Sequence, residues 1–190
     1  MKRTSKSGMM LYGDFTLRVF DGAVSPQKLK FTWRRKNQIV NQGRDVVLAL
    51  LAQTTAPIGD DFQQDPHANQ IWSIAVGAGT TAPDPTDWCL GDQKWVSVLD
   101  PETERTIEYT PSKEIVIVKI LPAGTLTGET ISEAGLLTRG ENDDPSLADW
   151  APPNGAGKKR LYARQVHAAV TLTGTTIVTY EWRLGVTAQI

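Results

Sequence analysis

Residues 177–187 have the sequence IVTYEWRLGVT, in which apolar and polar side chains alternate. An alternation with a period of two is typical of a β-strand that has one buried and one exposed face. The stretch is the clearest strand in the chain, and it indicates a fold built on β-sheet. Its apolar face would carry Val178, Tyr180, Trp182, Leu184 and Val186, and its polar face Thr179, Glu181 and Arg183.

Six further segments have the composition of strands. The segments at 14–20 and 28–33 are joined by turn-forming residues at 21–26, which predicts a β-hairpin. The other predicted strands cover 71–76, 115–121, 131–138 and 161–170.

One segment departs from this pattern. Residues 44–53 (RDVVLALLAQ) are apolar nearly all round, which suits a short buried α-helix with Asn41 as a candidate N-cap. Short strands, one helix and frequent Gly and Pro turns predict a mainly β fold, an antiparallel β-sandwich of jelly-roll-like type. We expect a flexible N-terminal tail at 1–13 and one domain at 14–190, with loop insertions near 55–70 and 140–160.

Composition narrows the class of protein. The 190 residues include 20 basic and 21 acidic side chains, and a net charge of −1 provides no general field for nucleic acid. Cys89 is the single cysteine, which fits a chain made in a reducing cytoplasm. No apolar run approaches the roughly 20 residues of a membrane helix, and the N-terminus lacks the apolar core of a signal peptide. We therefore expect a soluble protein without membrane or nucleic-acid partners.

The sequence contains no recognisable catalytic or cofactor motif. His67 and His167 have no evident partner, and Cys89 has acidic rather than basic neighbours. The acidic group Asp60, Asp61 and Asp65 does not have the spacing of an EF-hand loop, and no zinc ligand set exists. We predict that the protein is not an enzyme and binds no metal or cofactor.

Tryptophans and acidic loops are the candidate contact residues. Trp33, Trp72 and Trp182 fall in predicted strands and are expected to pack in the core. Trp88, Trp95 and Trp150 fall in or near predicted loops, where they could anchor a protein interface or stack on a sugar ring. The acidic residues of the two long loops are the other interface candidates: Asp60, Asp61, Asp143 and Asp144.

Four phrases in a fixed order resemble a family of small structural proteins of tailed bacteriophages, found among tail, collar and baseplate genes. They are NQIVNQG at 37–43 before the apolar helix, IAVGAGTTAP at 74–83, ISEAGLL at 131–137, and LYAR at 161–164 followed by a terminal strand through Tyr180-Glu181-Trp182. The resemblance spans roughly residues 37–190. The stretch at 140–159 is longer than the family usually has, and it could be a contact surface peculiar to this chain.

The resemblance implies a structural virion role. We expect assembly as a ring or trimer of copies, with other virion proteins, in the neck or collar, tail or baseplate. Alternatives are a capsid decoration or fibre-anchoring protein and, from another class, a carbohydrate-binding tail-tip module. The family carries no catalytic residues.

Several residues within the phrases also have a physical interpretation. Glu133 either is buried, with Arg164 as its partner, or faces outward from an alternating strand. Gly77 and Gly79 would supply backbone angles closed to other residues, and Gly135 a bulge or a close approach. Gly43 is the fourth glycine to which we assign a structural role.

Overall fold

The computed structural model describes residues 8–23, 27–41, 43–44, 71–100, 102–108, 114–138 and 161–189. Within these ranges the chain is mainly β, and two antiparallel five-stranded sheets form a β-sandwich. The strands are β1 (Gly8–Asp21), β2 (Lys28–Lys36), β3 (Gln38–Ile39), β4 (Ile71–Gly77), β5 (Gln93–Val98), β6 (Arg105–Glu108), β7 (Glu114–Leu121), β8 (Thr130–Thr138), β9 (Leu161–Thr171) and β10 (Thr176–Gln189).

The first sheet has the strand order β2-β1-β10-β7-β6. At its centre β1 and β10 pair along their full lengths, from Gly8 opposite Gln189 to Asp21 opposite Thr176. The alternation predicted for β10 is observed, because the side chains that face the other sheet are buried: Val178, Tyr180, Trp182 and Leu184. The predicted β1–β2 hairpin is confirmed by the pairing of these two strands.

The second sheet has the order β3-β9-β8-β4-β5. In its central strand β8, every residue from Ile131 to Thr138 is buried. A strand buried on both faces must be covered twice, once by the other sheet and once by another part of the chain. The second cover is the loop that joins β4 to β5.

The main core lies between the sheets. It is rich in aromatic side chains from both sheets: Phe15, Trp33, His167, Tyr180 and Trp182. Phe15 stands edge-on to Trp182 with ring centroids 4.6 Å apart. Fully burying a large apolar side chain contributes about 1.5–3 kcal/mol, so this cluster is a large part of what holds the sheets together.

The structure corrects several expectations. Strand β1 begins at Gly8, so residues 8–13 belong to the sheet rather than to a flexible tail; GMMLYG does not alternate, and pairing with β10 makes it a strand. Strands β3, β5 and β6, with two, six and four residues, were not predicted. The predicted helix at 44–53 lies outside the described residues except for Arg44, whose N–H donates to the Val40 carbonyl at 3.1 Å.

Candidate functional site

A buried carboxylate lies on the face of the second sheet that points away from the main core. Glu133 belongs to β8, and its side chain has no exposed surface. Three backbone N–H groups donate to it: those of Gly79 at 2.9 Å, Gly91 at 3.0 Å and Asp92 at 2.8 Å. Hydrogen bonds to the charged form are what make a buried carboxylate tolerable. Of the two interpretations left open for Glu133, the structure shows the buried one.

Arg164 supplies the opposite charge. It lies on the neighbouring strand β9 and is 3% exposed. Its Nε and Nη2 atoms are 3.0 and 2.8 Å from Oε2 of Glu133, and its Nη1 donates to Oδ2 of Asp87 at 2.7 Å. Burial alone would lower the pKa of Arg164, but hydrogen bonds and charge from Asp87 and Glu133 raise it instead. We call these three side chains the buried ionic centre.

The hydrogen-bonding capacity of the Glu133 carboxylate is used up. Oε1 of Glu133 accepts two backbone N–H groups, while Oε2 accepts one backbone N–H and two guanidinium nitrogens. The Nη2 atom of Arg164 also donates a hydrogen bond to the carbonyl of Thr81 at 3.2 Å. A carboxylate with five donors and no exposed surface is arranged to hold other groups in place.

What the centre holds is the segment between β4 and β5, residues 78–92, which we call the anchored loop. Its two ends are joined by the N–H of Ala78, which donates to the Asp92 carbonyl at 2.8 Å. Its middle is tied to the segment after β3 by the N–H of Asn41, which donates to the Pro85 carbonyl at 2.7 Å. Residues 84–87 form a turn in which Oδ2 of Asp87 accepts the N–H of Asp84 at 2.8 Å. The loop is therefore fixed at its base and at its middle.

The loop also covers a small apolar cluster on the outer face of the second sheet. Leu90 is 5% exposed and packs against four side chains from the sheet and the segment after β3: Val40, Ala75, Leu137 and Leu161. This contact is part of the second cover that β8 requires, and it explains why β8 is buried on both faces.

Glycines make room for the centre. A Cβ at Gly77 would lie 2.6 Å from Oε1 of Glu133, and one at Gly79 would contact the same carboxylate more closely. Neither glycine has a positive φ, so our expectation of special backbone angles at these positions is wrong: space is what they provide. Gly43 abuts the carbonyl of Tyr162, and a Cβ at Gly135 would lie 2.9 Å from Leu161. Gly135 is thus a point of close approach.

Most of the resemblance meets at this place, although its terminal strand through Tyr180-Glu181-Trp182 belongs to β10 of the first sheet. Residues 37–43 tie the middle of the loop, 74–83 form its first half, 131–137 contribute the carboxylate, and 161–164 contribute the guanidinium. Sequence reasoning missed Asp87 and the backbone donors of Gly91 and Asp92. The turn-forming sequence Asp84-Pro85-Thr86-Asp87 was the available signal for Asp87, whereas backbone N–H groups leave no signal in side-chain patterns.

The structure describes two of the seven interface candidates, Trp88 and Trp95. Trp88 lies in the anchored loop and is 38% exposed. Trp95, which we expected in or near a loop, lies in β5 and packs half-buried against the main core. The remaining candidates, Trp150, Asp60, Asp61, Asp143 and Asp144, lie outside the described residues.

Two titratable groups outside the centre were also considered from sequence. His167 is buried, its Nδ1 lies 2.8 Å from the Ala168 carbonyl, and burial lowers its pKa below the ordinary 6.5. Cys89 is half-buried, and burial raises the pKa of its thiol. No group of three His, Cys, Asp or Glu side chains able to hold a metal ion occurs in the part of the chain that the structure describes.

The outer face of the first sheet carries charges in a different setting. Arg18 donates to Glu181 at 2.7 Å, and Arg183 donates to Glu181 at 2.9 Å and to Glu114 at 3.3 Å. The hydroxyl of Tyr12 donates to Glu114 at 2.6 Å, and this bond is the main cause that raises the pKa of Tyr12 to about 12. We call this row of side chains the surface charge lattice.

Comparison with known proteins gives no relative: no family model, curated protein or solved structure matches the chain. Within the described residues, no helix is both long and apolar enough to span a membrane.

Proposed function

We propose that the chain is a structural virion protein of a tailed bacteriophage, assembling by protein–protein contacts in the neck or collar, the tail or the baseplate. The observation that carries the proposal is that three phrases of the resemblance build one buried ionic centre, and that the phrase at 37–43 ties the loop which this centre holds. Phrases scattered over the chain that build one contiguous centre act together as a single structural motif.

The geometry of the centre suits a subunit that is copied many times. A buried ionic network whose partners are all present favours one arrangement of the groups it joins, so the anchored loop presents the same surface in every copy. Trp88 is the large apolar side chain exposed on that surface. Tryptophan is over-represented among residues that dominate binding energy at interfaces, and closed rings repeat one such contact.

Imaging of the intact particle tests the proposal. Virions purified from the strain that encodes the chain should contain its peptides by mass spectrometry. A side-chain-resolution reconstruction should show it as a ring or trimer in the neck, tail or baseplate. Absence of the chain from purified particles would overturn the proposal, and density on the head surface or a fibre base would favour the decoration or fibre-anchoring alternative.

A narrower test uses the exposed tryptophan. If Trp88 anchors the subunit contact, Trp88→Ala should lower the solution mass measured by light scattering. Ile120→Ala removes a side chain of the other sheet that is 53% exposed, so it serves as the control and should leave the mass unchanged. Equal masses for both variants would remove Trp88 from the interface.

The exposed side chain of Trp88 also fits a function of another class, carbohydrate binding. An exposed indole can stack on a sugar ring, which would suit a carbohydrate-binding tail-tip module. A glycan array probed with the native chain and with Trp88→Ala separates the two functions. Glycan binding by a monomer that is lost in Trp88→Ala would replace the assembly proposal with the carbohydrate one.

A further inference from the structure

The strand β2 is an edge strand with an unusual charge. Its nine residues, KLKFTWRRK, include five cations and no acid, and all except Trp33 are exposed. Lys30 and Lys36 lie 3.4 and 2.8 Å from Asp21 and Asp14 of β1. Arg34 has no ion pair with any residue that the structure describes, so a basic charge remains available along the edge.

The backbone of β2 is hydrogen-bonded to a neighbouring strand on one side. Among the described strands it pairs with β1 alone and ends the first sheet. In an antiparallel pair, alternate residues direct their N–H and C=O groups away from the partner strand. A row of outward donors and acceptors at a sheet edge is a template for another extended chain.

The two faces of β2 differ in a way that a partner strand can match. Phe31 is opposite the core residue Val19, so it continues the core face, and it is 37% exposed. Arg34 and Lys36 are opposite Thr16 and Asp14 and therefore lie on the outer face. An added strand with apolar side chains on one face and acidic side chains on the other would match both.

A depression beside β2 supplies further cations. It has a volume of about 590 Å³ and is lined by Asp14, Phe15, Thr16, Arg18, Arg34, Arg35, Lys36, Glu181 and Arg183. Five of these side chains are basic and two are acidic, so carboxylates placed over the outer face of β2 would meet an excess of positive charge.

We propose that the β2 edge binds an extended acidic segment of another protein by strand addition, with the apolar residues of that segment beside Phe31 and its carboxylates beside Arg34 and the depression. This inference rests on β2 and does not depend on a virion role.

Two other occupants fit less well. A second copy of β2 would bring five cations alongside five cations, and like charges on adjacent strands are unfavourable. Nucleic acid would meet the same positive charge, but it would leave the outward backbone groups of β2 unpaired. An acidic polypeptide uses both the charge and the backbone.

The experiment uses an acetylated and amidated nonapeptide in which glutamate alternates with valine, with affinity measured by titration calorimetry. Hydrogen exchange of the isotope-labelled protein should show that amides within β2 gain protection when this peptide binds. Two control peptides separate the contributions: one of the same composition without alternation, and one N-methylated at every second residue. Both should bind about tenfold more weakly or worse, since strand addition needs the alternation and the free amides.

A matched pair of variants tests the site. Arg34→Glu should raise the Kd of the alternating peptide by about tenfold, because it places a carboxylate against carboxylates. Lys94→Glu makes the same change of charge on β5, an edge strand of the other sheet, and should change the Kd by less than about twofold. Arg34 is exposed and the side chain of Lys94 is 32% exposed, and unchanged melting temperatures would verify that the variants are folded.

Three results would overturn the proposal. Equal affinity for the N-methylated peptide would mean that charge alone attracts the ligand. Tighter binding of oligothymidylate than of the peptide would assign the edge to nucleic acid. No binding of the alternating peptide, with no protected amides in β2, would mean that the cations serve only to prevent association of sheet edges.

Discussion

The outer faces of the two sheets carry the same chemistry in opposite surroundings. On the second sheet, Glu133 and Arg164 are 0% and 3% exposed and lie beneath the anchored loop. On the first sheet, the Glu181 side chain is 13% exposed and pairs with Arg18 and Arg183, whose side chains are 29% and 37% exposed. Each carboxylate meets guanidinium groups at hydrogen-bonding distance, so pair geometry does not distinguish the two faces.

What differs is the cost of losing a partner. An exposed ion left alone is stabilised again by water, so a surface pair contributes about 0.2–1 kcal/mol. An ion left alone in a buried site is not solvated by water, so breaking a buried pair costs about 3–5 kcal/mol. Burial therefore decides which of two similar contacts the fold depends on.

The largest effect should come from Arg164→Met, which leaves the Glu133 carboxylate buried without its opposite charge. We expect the free energy of unfolding to fall by about 3–5 kcal/mol, measured by urea denaturation. Arg18→Met is the matched variant on the surface charge lattice and should cost at most about 1 kcal/mol. Equal losses in the two variants would contradict the comparison.

A double variant sharpens this result. In Glu133→Gln/Arg164→Met both charges of the pair are removed, so neither is left buried alone. The loss of stability should be smaller than the sum of the two single losses, because the second substitution relieves a cost created by the first. A sum that is simply additive would mean that the two side chains act independently.

The next largest effect concerns space around the carboxylate. Gly79→Ala would place a methyl group against the Glu133 carboxylate, and we expect a loss of about 1–3 kcal/mol, as for other overpacked interiors. Gly174→Ala is the control, because no atom lies within 4 Å of a Cβ at Gly174. The melting temperature should fall clearly in the first variant and stay nearly constant in the second. A tolerated alanine at Gly79 would show that the anchored loop can move away.

A pH effect should follow from His167, which lies between the sheets. Burial holds its folded-state pKa below 6.5, so in the window below about pH 6.5 the unfolded chain binds a proton that the folded chain does not. The stability that depends on a neutral, buried His167 is fully present above that window. As the pH falls through the window, this part of the free energy of unfolding decreases by up to about 1.4 kcal/mol per pH unit.

Urea titrations at several pH values, for the native chain and for His167→Gln, measure this contribution. The variant should show a shallower loss of stability in the window than the native chain does. An NMR titration of the His167 ring gives its folded pKa directly, and a value at or above 6.5 would refute the prediction.

The smallest effect is expected on the surface charge lattice. Glu181→Gln should lower the free energy of unfolding by less than about 1 kcal/mol at low salt. Added salt at 1 M should remove most of this difference, since the screening length is then about 3 Å. The effect of Arg164→Met should persist at the same salt concentration, because buried pairs are screened much less. A loss in Glu181→Gln that does not depend on salt would mean that this pair is shielded from solvent.

Alternation of side chains located β1, β2 and β10, since a strand that is half buried records its two environments in its own sequence. Strand-like composition located β4, β7, β8 and β9. Neither signal was enough for β5 or for residues 8–13, whose strand structure depends on pairing with neighbours. The phrases around Glu133 and Arg164 indicated which residues matter at the site. The geometry could not be predicted, because three of the donors to Glu133 are backbone amides and because the glycines provide space rather than special torsions.

The contacts of Glu133 and Arg164 join parts of the chain that are far apart in sequence, with separations of 54 residues to Gly79 and 83 residues from Arg164 to Thr81. Because side chains alternate along a strand, a slip of β8 by one residue would turn Glu133 into the main core, where it has no cation and no backbone donors. The native alignment of β4, β8 and β9 gives the Glu133 carboxylate its hydrogen bonds. A misaligned sheet would leave that charge buried and unpaired, so the buried charge selects the native strand register.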